Sequence, residues 1–229
     1  MTSFLPSGFI LINKSSGPTS HDIINQLRRL TNIKKIGHAG TLDPFASGLL
    51  ICAIGREATK NISRFADLSK DYEAVLVLGV SSDTYDRTGR LEEQIFKTKP
   101  TQATLEKTLK SFLGCIEQIP PMYSAKKIGG KKLYDLARSG QTVERQPCHV
   151  EIFALDLLSY EWPEVTLHIK CSKGTYIRSL ADDLGKALST GAYVKDLSRT
   201  AIGSYQLTQA VELDELTTEN WVKYLFTSF

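Results

Sequence analysis

With 229 residues the chain is longer than an average domain and short for two large ones, so one domain is the expectation. Hydrophobic residues make up 41% and charged residues 23%, which excludes a disordered polar chain and supplies enough apolar side chain for a real core. Lys and Arg number 28 against 25 Asp and Glu, a formal charge of +3 that is too mild to identify a nucleic-acid partner, so the placement of the charges matters more than their sum.

In chain order, "GFILINK" predicts a short strand and "SSGPTS" the turn after it. A helix should follow, because Thr19 and Asp22 have capping-box spacing and Ile23, Leu27 and Leu30 recur at i, i+4 and i+7. Next comes a glycine-rich loop, "KKIGHAGTLDPFASGLL", and then "GLLICAIG", a continuous apolar run of strand length. "REATKNISRFADLSK" reads as a helix, "YEAVLVLGV" as a strand and "SSDTYDRTG" as turn chemistry. Leu105, Leu109, Phe112 and Leu113 predict a helix closed by Gly114, followed by a brief strand, "CIEQIPP". From Met122 to Arg145 lysines and arginines interleave with tyrosines, which reads as a protruding basic element. "VEIFALDLLSY" and "EVTLHIKCS" alternate well enough for neighbouring strands. "IRSLADDLGKAL" is a helix with Ile177, Leu180, Leu184 and Leu188 on one face, and "LDELTTENWVKYLF" reads as a closing amphipathic helix. The irregular alternation predicts an α+β domain on a mostly antiparallel or mixed central sheet flanked by helices, without internal repeats.

Cys52, Cys115, Cys148 and Cys171 are far apart and lack metal-ligand spacing, so they are expected to be reduced thiols. The N-terminal segment has no basic n-region and too short an apolar run for a signal peptide, and nothing approaches the roughly 20 apolar residues of a membrane span. The expected location is the cytoplasm. No H-E-x-x-H, phosphate-binding loop or dinucleotide fingerprint is present, so neither metal catalysis nor nucleotide hydrolysis is expected.

Asp43 carries the most chemical interest. A residue before proline is driven to extended geometry, and Gly37, Gly40 and Gly48 let the backbone approach a ligand. Asp-Pro commonly just starts a turn, but Leu42, Pro44, Phe45, Leu49 and Leu50 make a poor place to leave an anion that nothing uses. Arg178, at a strand-to-helix junction, is either its cationic partner or a first-turn residue facing solvent. His38 is either a hydrogen-bonded loop residue or part of a site. Likewise the basic stretch around Lys126 to Lys132, with Tyr123 and Tyr134, is either a solvated loop or an RNA-binding element, since lysines neutralise phosphates and aromatic rings stack on unpaired bases.

"GHAGTLDPFASGLL", "SKDYEAVLVLG", "IEQIPPMYSAKKIGGKKLYDLAR" and "CSKGTYIRSLADDLG" follow one another as in the TruB family of tRNA pseudouridine synthases, which the sequence resembles from about Gly8 to Tyr205. The resemblance implies the pseudouridine synthase fold and the isomerisation of uridine 55 in the T-loop of tRNA, with no metal or organic cofactor. It implies that Asp43 is the catalytic residue, as nucleophile at the ribose C1′ or on a glycal route, with Arg178 holding it ionised and Tyr72 packing on the target base. His38 would fill the space left by the flipped nucleotide, and Tyr176 and Leu197 would line the pocket, with core packing the alternative for Leu197. Lys14 matches an early basic residue of the family, although Ser15 stands where proline is usual. The segment from about 121 to 145 matches a thumb-like insert, with Lys126, Lys127, Lys131 and Lys132 placed for phosphates. Further expectations are a single catalytic domain over residues 1–229 with a short helical tail from about 206, no PUA domain, tRNA bound through its T arm, no membrane contact, no obligate protein partner and a monomer. The rival readings are a guide-RNA-dependent relative and a tRNA-binding folding chaperone without turnover.

Overall fold

The computed structural model describes residues 6–227 apart from 125, 126, 129, 130, 134–136, 138–140 and 142; for 127, 128, 131 and 132 it describes the backbone path alone. The chain divides into two compact units, the first made of residues 1–71 and 198–229 and the second of residues 72–197.

The first unit opens with strand β1 (Gly8–Lys14) and helix α1 (Ser20–Thr31). The predicted capping box is there, with Thr19 and Asp22 satisfying each other's backbone N–H, and Ile23, Ile24 and Leu27 form the buried stripe. Strand β2 (Ile36–His38) leads to the Asp43 loop and then to β3 (Ser47–Ile54). β1 and β3 pair antiparallel from Gly8↔Ile54 to Lys14↔Gly48. Both faces of this pair are covered: Ile10, Ile12, Leu50, Cys52 and Ile54 pack with α1 on one side, and Phe9, Leu11, Leu49, Ile51 and Ala53 pack with Phe65 on the other. That double burial is why "GLLICAIG" reads as a continuous apolar run rather than an alternating one.

The helix predicted over "REATKNISRFADLSK" is broken into α2 (Arg56–Lys60) and α3 (Ser63–Ala66). Asn61 breaks it, its side chain donating to Glu57 O at 3.0 Å and its backbone N–H closing a tight turn on Ala58 O. Strand β4 (Lys70–Leu78) then carries the chain into the second unit.

There, β5 (Val80–Ser82) and β6 (Leu91–Glu93) form a hairpin around the predicted turn. Helix α4 (Gln102–Lys110) stops three residues earlier than the apolar pattern suggested. Gly114, read as its cap, instead opens β7 (Gly114–Gln118) with a φ of +87°. Two short strands, β8 (Lys127–Ile128) and β9 (Lys131–Lys132), pair antiparallel within the basic segment. The long β10 (Cys148–Glu161) and β11 (Glu164–Cys171) are antiparallel neighbours, as expected, and helix α5 (Ile177–Ala187) follows. β4, β11, β10 and β7 lie side by side in that order, with α4 packed on β10 and on α5.

Strand β12 (Ala192–Ile202) returns the chain to the first unit, where β13 (Tyr205–Gln206) and β14 (Val211–Glu212) follow. β12 runs parallel to β3 and β14 parallel to β1, so the sheet is mixed and the architecture α+β, as expected. The closing amphipathic helix is absent. "LDELTTENWVKYLF" forms two short 3-10 turns, Leu213–Glu215 and Trp221–Tyr224. Thr217 and Asn220 divert the backbone: Asn220 accepts from Thr217 N at 2.8 Å and donates to Glu215 O at 2.9 Å, bonds that compete with a helical ladder. The tail instead buries Trp221 beside Ile10 and Ile12 and exchanges two backbone hydrogen bonds between Phe226 and Phe9.

Candidate active site

In the first unit the loop carrying Asp43 is tied down on several sides. Leu42 N donates to Ser20 Oγ at 2.9 Å and Ser20 Oγ donates back to Leu42 O at 3.1 Å. Gly17 N reaches Pro44 O at 2.8 Å, and Ser16 Oγ reaches Phe45 O at 2.8 Å. The start of α1 and the turn before it thus hold the residues on both sides of Asp43. Ala46 N donates to Asp43 O at 3.1 Å, which closes the Asp-Pro turn. Leu42 and Phe45 are buried while Asp43 is half-buried.

Lys14, expected among the substrate-binding residues, lies beneath this loop with no exposed surface. Its ammonium donates to Ser15 O and Pro18 O at 2.9 Å each and to Pro44 O at 3.4 Å. Its three donors are therefore directed to carbonyls of the loop and the adjoining turn rather than outward. Burial pushes this ammonium down to about 8; Asp43 opposes the shift and Arg199 adds to it.

The folded protein accordingly sheds the Lys14 proton at lower pH than the unfolded chain does. Between about pH 8 and the ordinary 10.5 the unfolded state binds more protons, so the contribution of Lys14 to stability is least favourable below pH 8 and improves as pH rises through that window. We expect urea midpoints to show this rise and a Lys14→Met variant to lack it. Replacing Asp43 by Asn should lower the Lys14 titration point further, readable by NMR of labelled lysine.

Arg199 was not singled out from the sequence. It is 1% exposed, and its guanidinium donates from Nε to Leu49 O at 2.8 Å and from Nη2 to Gly40 O at 3.2 Å. The parallel register sets Arg199 opposite Gly48, whose φ is +105°. A Cβ on Gly48 would lie 2.3 Å from Arg199 O and 2.6 Å from Arg199 N, backbone atoms that cannot step aside. Gly48→Ala should therefore cost at least about 2 kcal/mol, from left-handed strain plus the clash. Chemical denaturation measures it, and a loss under about 0.5 kcal/mol would contradict the close strand contact.

His38 sits on β2 opposite Cys52. Its Nδ1 is buried and without a hydrogen-bond partner among the described residues. Burial first and Arg199 second hold the imidazole below its ordinary value, against an opposing backbone bond with Gly40, so the ring is neutral at neutral pH.

In the second unit Arg178 is no solvent-facing helix residue. It is 4% exposed in the first turn of α5, donating to Thr84 O at 3.1 Å and Tyr123 O at 2.7 Å, with the Asp86 carboxylate 3.5 Å away. Asp86, also missed from sequence, is 4% exposed and accepts from Thr84 Oγ1 and Thr88 N at 2.9 Å and from Thr88 Oγ1 at 2.5 Å. An aspartate between two threonines in a turn is the signal that could have found it. Tyr176 is held through its backbone by the buried Gln118, whose side chain accepts from Tyr176 N at 3.0 Å and donates to Tyr176 O at 3.3 Å. Tyr72 on β4 and Leu197 on β12 are buried. Lys126 and the side chains of Lys127, Lys131 and Lys132 lie outside the described residues.

Among the described residues no group of three or more His, Cys, Asp or Glu is arranged to hold a metal, and no helix is long and apolar enough to cross a membrane.

Residues 28–177 match the family described as TruB family pseudouridylate synthase (N terminal domain), and residues 178–226 match the tRNA pseudouridylate synthase B C-terminal domain. The chain is 46% identical over 211 residues to the tRNA pseudouridine synthase B of Protochlamydia amoebophila, covering 92% of this chain and 80% of that one. To the protein of the same name from Geotalea uraniireducens it is 44% identical over 208 residues, covering 91% and 67%. Among solved structures, a chain of a Cbf5-Nop10-Gar1 complex superposes with a TM-score of 0.73 at 27% identity over 93% of this chain, which spans about half (54%) of that longer chain. The matched segments together run through both units, and the chain belongs to the TruB family of pseudouridylate synthases.

Proposed function

We propose that the chain is a tRNA pseudouridine synthase that isomerises uridine 55 of the T-loop. The similarity to proteins named tRNA pseudouridine synthase B supports the activity and the substrate class. The observation that supports the site is the fastening of the Asp43 loop by Ser16, Ser20, Lys14 and Arg199, which holds the backbone on both sides of one carboxylate. A carboxylate so held suits a reaction at the ribose anomeric carbon, where a solvated, mobile one would be slow.

The target nucleotide leaves the T-loop stack, because its glycosidic bond is inaccessible while the base is stacked. Asp43 then assists rupture of the bond between N1 and C1′, by attack at C1′ or along a glycal route. The freed uracil turns, C5 bonds to C1′, the C5 proton is lost to solvent and N1 takes up a proton, so the net change is an isomerisation. Tyr72 packs on the target base, Tyr176 and Leu197 bound its pocket, and the neutral His38 occupies the space that the flipped base vacates. Arg178 supplies positive charge to the catalytic carboxylate. Lys126, Lys127, Lys131 and Lys132 bind phosphates of the T arm. The chain acts as a monomer in the cytoplasm, and no organic cofactor enters the chemistry.

Loss of the C5 proton gives a direct assay. A T-arm stem-loop labelled with tritium at uridine C5 should release its label in a single turnover with excess protein. Binding of the same RNA without release would leave the chaperone reading in its place.

A further inference from the structure

We propose that Arg199 is a positioning residue for Asp43: its guanidinium closes the base of the catalytic loop by bonding the carbonyls of Gly40 on the way in and Leu49 on the way out. The inference rests on the assignment of Asp43 as the catalytic carboxylate.

The geometry is unusual for an arginine on a strand. β12 lies parallel against β3, and Gly48 allows its backbone to approach Arg199 more closely than any side chain would permit. The guanidinium therefore runs under the loop rather than outward, and at 1% exposure it has little water to solvate it. Its Nε and Nη2 spend two donors on Leu49 O at 2.8 Å and Gly40 O at 3.2 Å. Those carbonyls bracket Thr41 to Gly48, so one rigid planar group sets the separation of the two loop ends. Lys14 and the two serines, Ser16 and Ser20, fasten the middle of the same loop. With both ends and the middle tied, Asp43 has few ways to shift, and misplacement of about 1 Å in a reacting group is enough to lose roughly a hundredfold in rate.

A tie alone would not need a charge. Burying a guanidinium beside the Lys14 ammonium is unfavourable, and a neutral side chain would hold a loop at lower cost. The charge reaches the groups around the loop: Arg199 acts on His38 to keep its imidazole neutral and on Lys14 to ease loss of its proton, while Asp43 acts on Lys14 in the opposite sense. His21, on α1, adds a smaller push on His38 in the same direction as Arg199. Arg199 thus sets both the shape of the Asp43 loop and the field around it, acting through other groups rather than on the reacting atoms.

Two variants test this, read at a temperature where circular dichroism shows each to be folded. Arg199→Met keeps length and removes both donors and charge. It should lower single-turnover tritium release by about 30-fold or more while the dissociation constant for the T-arm stem-loop stays within about twofold. In the same variant the His38 imidazole, followed by NMR, should titrate at higher pH than in the native chain. Arg199→Lys keeps the charge but cannot bridge both carbonyls. Its His38 titration should be native-like and its rate reduced by a smaller factor, about three- to tenfold. A native release rate in folded Arg199→Met overturns the inference alone, as does a loss that resides wholly in RNA affinity. Should the Met variant fail to fold, Arg199→Lys decides, and a native rate there overturns the two-point clamp. A native chain that releases no tritium overturns the functional reading itself, and this inference with it.

Discussion

Replacing Asp43 by Asn should abolish tritium release, with a loss on the order of 10⁴-fold or more, while the T-arm RNA still binds. The substitution is nearly isosteric, and the loop that carries residue 43 is held by bonds from Ser16, Ser20, Gly17 and Arg199 that involve other residues. Fold and RNA affinity are therefore expected to survive. On the role proposed for Asp43, what is lost is the anionic oxygen that attacks or assists at C1′, and an amide oxygen is a far poorer nucleophile. Stopped-flow binding with fluorescent RNA beside single-turnover release separates the two effects. Residual release within about tenfold of the native rate would move the nucleophile elsewhere.

Arg178→Met should be the most destabilising single change near the candidate site, by about 3–5 kcal/mol, because it leaves the Asp86 carboxylate buried without its cation. Both side chains are about 5% exposed, so water cannot substitute for the lost partner. Thr84 O and Tyr123 O would each lose a donor as well. In a chain of this size the melting temperature should fall by about 6–20 °C. Asp86→Asn tests the same pair from the other side. A double variant, Arg178→Met with Asp86→Asn, should be less destabilised than the sum of the single changes, since removing both charges relieves what removing one creates. Additive losses would mean that the two charges do not sense each other. On the proposal that this guanidinium serves the catalytic carboxylate, Arg178→Met should also stop catalysis and Asp86→Asn slow it.

Local signals were readable where the physics is local. The capping box at Thr19 and Asp22, the apolar run of β3 and the alternating pair β10 and β11 all depend on residues within a few positions of one another. The resemblance led to Asp43 and Arg178, and the structure adds the carbonyls that Arg178 bonds and the bonds that hold the Asp43 loop. Arg199 and Asp86 escaped because their burial is set at long range. Arg199 stands in the alternating strand "AYVKDLSRTAI", where a charge reads as solvent-facing, until pairing with a strand some 150 positions earlier places it opposite Gly48. Asp86 resembles any turn aspartate until Arg178 of a distant helix meets it. The closing helix failed for a local reason that the apolar spacing outweighed: Thr217 and Asn220 offer the backbone better partners than a helix would.

Full-length tRNA transcripts labelled with tritium at uridine C5, one with uridine at position 55 and one with cytidine there, test the proposed activity most directly. With excess native chain, the first transcript should release one label per molecule and the second none. Release from both, or from neither while the RNA binds, would contradict it.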